Sequence, residues 1–336
     1  MYASLQPFAG WRMPSDEVLG FFTAPWPRYI TSSDIALNVF AYLPLGAMLY
    51  VALRPPLAPA VACVLATLLA TVLSLALENV QMFLPSRIAS NVDLIANSAG
   101  AAAGALGALL LTLWNNPLAA WRRRLVRADK LGDCGLFVVA LWIVIQFHPA
   151  PPALGSGNLR DALGITPLFM HTSQAYWLAE TAVVTLAVIA LGLTVSLLMQ
   201  TRRYALRAMV LTLLLTLAAK SAAAVMLGRG AQWLQWLTPG VAAGLVAGCA
   251  LVAVLVWLAP AARGAAAMLC LVTGMVVVNI APDNPYQTLP AFMLSAQPTH
   301  LANFGNIVHA LSQCWPLAAL LLLFALMRAG PARAAR

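Results

Sequence analysis

Apolar residues in this chain come in long, nearly unbroken runs, without the strict alternation of a half-buried strand or the single apolar stripe of a soluble helix. With a window of about 20 residues for one crossing, the runs predict nine spans, near 34–53, 58–77, 94–114, 133–149, 176–199, 206–227, 239–259, 265–281 and 306–327, the fourth and eighth being short. The expected fold class is therefore all-α, a polytopic transmembrane helical bundle. Polar positions punctuate it into an amphipathic, aromatic interfacial segment (1–33), a three-span domain (34–114), a connection reading NNPLAAWRRRLVRADKLG (115–132), a six-span bundle (133–327) and a basic tail (328–336). No internal repeat stands out.

One polar stretch interrupts this pattern between the second and third apolar runs: LENVQMFLPSRIASNVDLIANSAGAAAG, residues 77–104. Glu78 and Gln81 are three apart and share a helix face at the end of the second span. Pro85 ends any helix there, Arg87 falls in a short loop, and Asp93 and Asn97 stand four apart at the start of the third span. Asp34 and Asn38 repeat the four-residue spacing at the start of the first span, so three helix ends offer polar faces at one depth. Two readings stand. In one, Arg87 pairs with Asp93 or Glu78 while Asn79, Asn91 and Asn97 satisfy backbone groups in a tight turn. In the other these residues form a headgroup pocket, with Arg87 clamping a phosphate or carboxylate and Glu78 or Asp93 accepting a proton.

The sequence DIALNVFAYLPLG (34–46), followed by Glu78, Gln81, Pro85, Arg87, Asp93, Asn97 and Gly100 in that order, resembles the VanZ-like family, named for an accessory factor in glycopeptide (teicoplanin) resistance. The resemblance covers about residues 34–113. It implies a four-span membrane domain acting at the cell envelope. It also implies one more span ahead of residue 34, which this chain lacks; a start upstream of the present one would supply it. The six later spans lie outside the resemblance.

Composition strengthens the membrane reading: 62% of residues are hydrophobic and 9% charged, with a mean hydropathy of +0.85. The net charge of +9 does not point to nucleic acid, because the Arg residues are confined to short connections, and Lys220 lies inside a span. One alternate set of connections holds Arg54, Arg122, Arg123, Arg124, Arg127, Lys130, Arg202, Arg203, Arg207, Arg263, Arg328, Arg333 and Arg336, thirteen in all; the other holds Arg12, Arg28, Arg87, Arg160 and Arg229, which is five. The first set is expected on the cytoplasmic side, which puts the N-terminus outside, the C-terminus inside and the 77–104 stretch on the outer face of an inner membrane. Five scattered cysteines show neither disulfide nor zinc spacing and read as small core residues. The four histidines lack HxxH or HExxH spacing, and no cofactor motif is present.

In the second bundle ionisable and amide groups gather toward the same outer side: Gln146, His148, Glu180, Lys220, Asn279, Asp283, Asn306 and His309. Lys220 either pairs with Glu180 or Asp283, snorkels to the interface, or serves an outward-facing cavity. Gly100 and Gly104, and Gly240, Gly244 and Gly248, have the small-xxx-small spacing that lets helices approach closely. The expected function is a non-enzymatic envelope protein whose partners are membrane lipids and a lipid-linked cell-wall or polysaccharide intermediate. Its ligand-binding residues would be Arg87, Glu78, Gln81, Asp93, Asn97, Asn38, Asp34 and Lys220. An enzyme acting on a lipid-linked phosphate or sugar, and a lipid transporter using both bundles, are the alternatives.

Overall fold

The structure is a computed structural model; it describes residues 10–13, 19–23, 25–26, 32–84, 89–114, 117–147, 153–166, 168, 172–226, 233–282 and 299–330. Among these residues the chain is helical: α1 (Gly20–Thr23), α2 (Ser32–Leu53), α3 (Pro59–Gln81), α4 (Asn91–Leu113), α5 (Pro117–Leu125), α6 (Lys130–Ile145), α7 (Arg160–Leu163), α8 (Ser173–Leu198), α9 (Arg202–Met226), α10 (Pro239–Leu255), α11 (Pro260–Ile280) and α12 (Thr299–Ala329). Each of the nine predicted runs coincides with one of these helices. Six are long and apolar enough to cross a membrane, namely α3, α4, α8, α9, α11 and Val308–Ala329 of α12; Asn38–Leu53 and Pro239–Leu255 are apolar but shorter. The chain is a multi-pass membrane protein.

Helix starts follow local chemistry. Pro59, Pro239 and Pro260 occupy first turns, where a missing N–H costs nothing. Ser90, Asp129, Thr172 and Thr238 cap α4, α6, α8 and α10 by accepting a hydrogen bond from the backbone N–H three residues on.

The chain divides into two compact units, Met1–Ala120 with Pro298–Asn303, and Trp121–Gln297 with Phe304–Arg336. In the first, α2, α3 and α4 pack on one another. The buried stripe of α3 is Ala62, Ala66, Ala70 and Ser74, while Val61, Val64, Leu65, Leu68 and Val72 point outward. Small residues inside and large aliphatics outside invert the soluble pattern. In lipid the outer face needs no polarity, and small side chains let backbones approach. Gly46, Gly100 and Gly104 set the crossing of α2 and α4, where a Cβ on Gly100 would stand 2.3 Å from the Val39 carbonyl oxygen and one on Gly104 1.9 Å from that of Leu43.

In the second unit α8 is central, with Val184, Val188, Ile189, Leu193 and Leu198 buried, and α9, α10 and α11 pack around it. Gly244 and Gly248 of α10 meet Val184 and Val188, so both glycine series serve close packing. Trp142 of α6 and Trp315 of α12 touch at 4.6 Å between ring centroids, and Trp315 Nε1 donates to the Val138 carbonyl at 2.8 Å. Asn279 of α11 fixes the 153–160 loop: its Oδ1 accepts from the Leu159 N–H and its Nδ2 donates to the Gly157 carbonyl, each at 2.8 Å. The cysteines are free thiols, but Cys134 and Cys314 are exposed on outer helix surfaces instead of lying in the core, which lipid-facing helices permit.

Arg127 straps the start of α6. Its guanidinium donates to Asp129 Oδ1 (2.9 Å) and Oδ2 (2.6 Å), and Asp129 Oδ1 also accepts from the Gly132 N–H at 2.9 Å. The hydrogen bonds from Arg127 hold the Asp129 carboxyl below its ordinary value of 3.8. A depressed carboxylate stabilises the fold above its unfolded pKa and loses that contribution as pH falls through its folded value. Acidification below about pH 4 should therefore speed amide exchange at Gly132 relative to the α8 core, and Asp129→Asn should remove that pH dependence.

Candidate functional site

The first unit carries a polar layer where three helix ends meet. Residues 71, 74, 78 and 81 advance by three or four and so fall along one side of α3, and Ser74, Glu78 and Gln81 there are buried. They face α4, whose start is fixed by the Ser90-x-x-Asp93 signature: the Asp93 N–H donates to Ser90 Oγ at 3.4 Å. Glu78 reaches across this junction, its Oε2 accepting the Ser90 backbone N–H at 2.9 Å. A carboxylate at a helix N-terminus gains from the helix dipole as well as from the bond itself. One turn along α4, Asn97 Nδ2 donates to Ser74 Oγ at 2.9 Å, and Thr71 Oγ1 donates to Ser98 Oγ at 3.1 Å.

The first helix completes the layer. Asn38 Nδ2 donates to Asp93 Oδ1 at 2.8 Å, joining residues 55 apart in sequence. One turn further, the Tyr42 hydroxyl reaches Ser74 and lies near Glu78. The structure thus brings together Asn38, Glu78, Gln81, Asp93 and Asn97, and adds Tyr42, Thr71, Ser74, Ser90 and Ser98. The capping signature at Ser90 is the signal in the sequence for one of these additions.

The Asn97 Oδ1 atom, buried in this layer, has no hydrogen-bond donor among the described residues. Arg87 lies outside the described residues, as do Arg229, Asp283, His148 and His171, and so do the side chains of Asp34, His300 and Asn306. Asn79 donates to the Leu75 carbonyl of its own helix at 2.8 Å, in keeping with a backbone-satisfying role. The N-terminal segment reaches the same end of the unit: the Arg12 N–H donates to the Phe83 carbonyl at 2.9 Å, and Phe21 of α1 is buried.

Of the partners expected for Lys220, Asp283 lies outside the described residues. The Lys220–Glu180 ion pair is not formed, because the Glu180 carboxylate is taken by the Thr238 hydroxyl at the start of α10, with Tyr176 as a further donor. Lys220 has other contacts. It is also 6% exposed, so it is buried in the bundle and has not snorkelled outward. The ion pairs among the described residues are Arg122–Asp133 and Arg127–Asp129. His309 is engaged by Gln313, with Nε2 to Nε2 at 3.0 Å, and no group of three His, Cys, Asp or Glu converges among the described residues.

No curated protein and no solved structure matches the chain. Residues 2–113 match the family model described as VanZ/LLP1, so the match takes in the N-terminal segment as well as α2 to α4.

Proposed function

We propose, from the match of residues 2–113 to the VanZ/LLP1 family model, that this chain is a VanZ-like protein that holds the polar headgroup of an amphiphile at the layered end of α2, α3 and α4. It would do so in the inner membrane of a bacterial envelope, with the layer on the outer face. The observation that supports this reading is the Asn97 carbonyl oxygen, buried without a donor among the described residues while its own amide is fixed on Ser74. An unmet buried acceptor costs about 1–3 kcal/mol, and a ligand hydroxyl would meet it.

Glu78, Gln81 and Asp93 are further acceptors beside it. A layer rich in acceptors suits a sugar, whose hydroxyls donate. Arg87, which follows the layered face of α3 in sequence, is the cation that would take a phosphate, because a guanidinium pairs two oxygens of one phosphate at once. Sugar and phosphate on a hydrocarbon tail describe a lipid-linked cell-wall or polysaccharide intermediate. Altered glycopeptide susceptibility would follow from holding such a molecule, in line with the family's name. Asn38 would form the wall of this site on the α2 side, with Asp34 and Lys220 as further candidate ligand contacts.

The experiment is mass spectrometry of lipids retained by gently purified protein, comparing wild type with Arg87→Ala and Glu78→Gln. Wild type is expected to retain a polyprenyl phosphate or lipid-linked sugar. Arg87→Ala is expected to retain about tenfold less, from loss of a charge-assisted pair. Glu78→Gln, which keeps an acceptor for Ser90, should retain most of it. Bulk phospholipid alone in all three proteins would contradict the proposal.

A further inference from the structure

A different chemistry is concentrated at one end of the second unit, where segments distant in sequence are tied together. Val126 and Met199 form an isolated antiparallel bridge. Gln200 Nε2 donates to the carbonyls of Arg123 at 2.7 Å and Val126 at 3.0 Å, and the Arg127 guanidinium donates to the Gly330 carbonyl at 3.3 Å. The end of α5, the turn from α8 to α9 and the end of α12 therefore lie side by side. Arg263 at the start of α11 donates to Ser196 Oγ at 3.1 Å, and the Arg202 guanidinium stands 5.4 Å from the Trp257 ring centroid, which brings in the turn from α10 to α11.

The cations of this end fall into two sets. Arg122 and Arg127 are engaged by Asp133 and Asp129, and Arg263 is buried against Ser196, so these three hold the fold together. Arg123, Arg124, Lys130, Arg202, Arg203, Arg207 and Arg328 are exposed. The described carboxylates at this end are Asp129 and Asp133, each already facing an arginine, so the exposed set is not neutralised by them. Exposed Trp121 and Trp257 stand among the arginines, and the apolar outer surface of α9 continues from them through Leu206, Val210 and Leu211. Arginine beside tryptophan, grading into aliphatic surface, is the sequence of environments that a lipid presents from phosphate to acyl chain.

We infer that this rim is a binding surface for anionic phospholipid, the guanidinium groups of Arg123, Arg124, Arg202 and Arg203 pairing with headgroup phosphates and the tryptophans seating at the glycerol level. It uses none of the residues of the polar layer. The apolar continuation selects a lipid over a free phosphate ion, which needs no aliphatic surface.

The test uses the full chain in an uncharged detergent, measuring binding of fluorescent phosphatidylglycerol and phosphatidylcholine, with glycerol phosphate as the soluble probe. Wild type should prefer phosphatidylglycerol by at least about tenfold, as expected from several basic residues at a membrane surface. The preference should collapse at about 1 M salt, where the Debye length is near 3 Å. The variant Arg124→Gln/Arg202→Gln/Arg203→Gln should bind both lipids alike, while the three lysine replacements should keep most of the preference. Equal binding of the two lipids by wild type, a preference that survives high salt unchanged, or a preference intact in the glutamine variant would each overturn the inference. Glycerol phosphate binding as tightly as phosphatidylglycerol would also overturn it, since the site would then be one for a free phosphate. The salt arm needs no variant and stands even if the glutamine protein does not fold.

Discussion

Gly104→Val should prevent the first unit from folding. At this crossing an added Cβ stands 1.9 Å from the Leu43 carbonyl oxygen and 3.1 Å from the Ala47 nitrogen, both backbone atoms that no rotamer change can move aside. Ordinary overpacking costs about 1–3 kcal/mol because side chains give way; here α2 and α4 must separate. That separation pulls Asn38 from Asp93, since the same two helices carry that bond, so the polar layer is lost together with the packing. Measured by circular dichroism and by monodispersity in detergent, the variant is expected to aggregate or to lose its thermal transition. Gly107, one turn further along α4, has nothing within 4 Å of an added Cβ, and Gly107→Val should fold normally. Equal behaviour of the two variants would show that the close crossing is not what holds the unit.

Trp315→Ala should cost the second unit about 3–5 kcal/mol, the range for emptying a buried aromatic site. Trp315 is 3% exposed, contacts the Trp142 ring and donates to the Val138 carbonyl, so truncation opens a cavity and removes a buried donor at once. Trp315→Phe keeps a ring against Trp142 and loses only the N–H, and should cost about 1 kcal/mol. Denaturant titration of the purified protein followed by tryptophan fluorescence would separate the two. A difference below about 1 kcal/mol between the variants would show that the ring contact contributes little beyond the hydrogen bond.

The helices were legible because lipid makes the rule simple: every uninterrupted apolar run must satisfy its backbone internally, and a helix does that. The site was legible in its strongly polar members. Glu78 with Gln81, and Asp93 with Asn97, announce a shared face through their spacing, and Asn38 repeats it on α2. The hydroxyl groups were not legible. Ser74, Thr71, Ser98 and Tyr42 barely alter hydropathy, and serine or threonine in an apolar helix commonly returns its bond to its own backbone, as Thr67 does to Cys63. In the folded unit Thr71 and Ser74 instead meet Ser98 and Asn97 of the neighbouring α4.

The partner of Glu180 was not legible for a related reason. Position along a helix follows from sequence, but rotation about the helix axis depends on packing. The donor that Glu180 takes, Thr238, is a helix cap from a third segment that spacing alone does not bring near. The rim of arginines was read as an orientation signal; its division into engaged and exposed members needed Asp129, Asp133 and Ser196 in place.

The most direct test of the headgroup site is photo-crosslinking of the full chain in membranes with a polyprenyl phosphate sugar carrying a diazirine on its headgroup, followed by peptide mapping. The account predicts adducts concentrated between residues 38 and 42 and between 74 and 98, lost when unlabelled probe competes. Adducts spread evenly over the lipid-facing helices, with no enrichment around Glu78, Asp93 and Asn97, would contradict it.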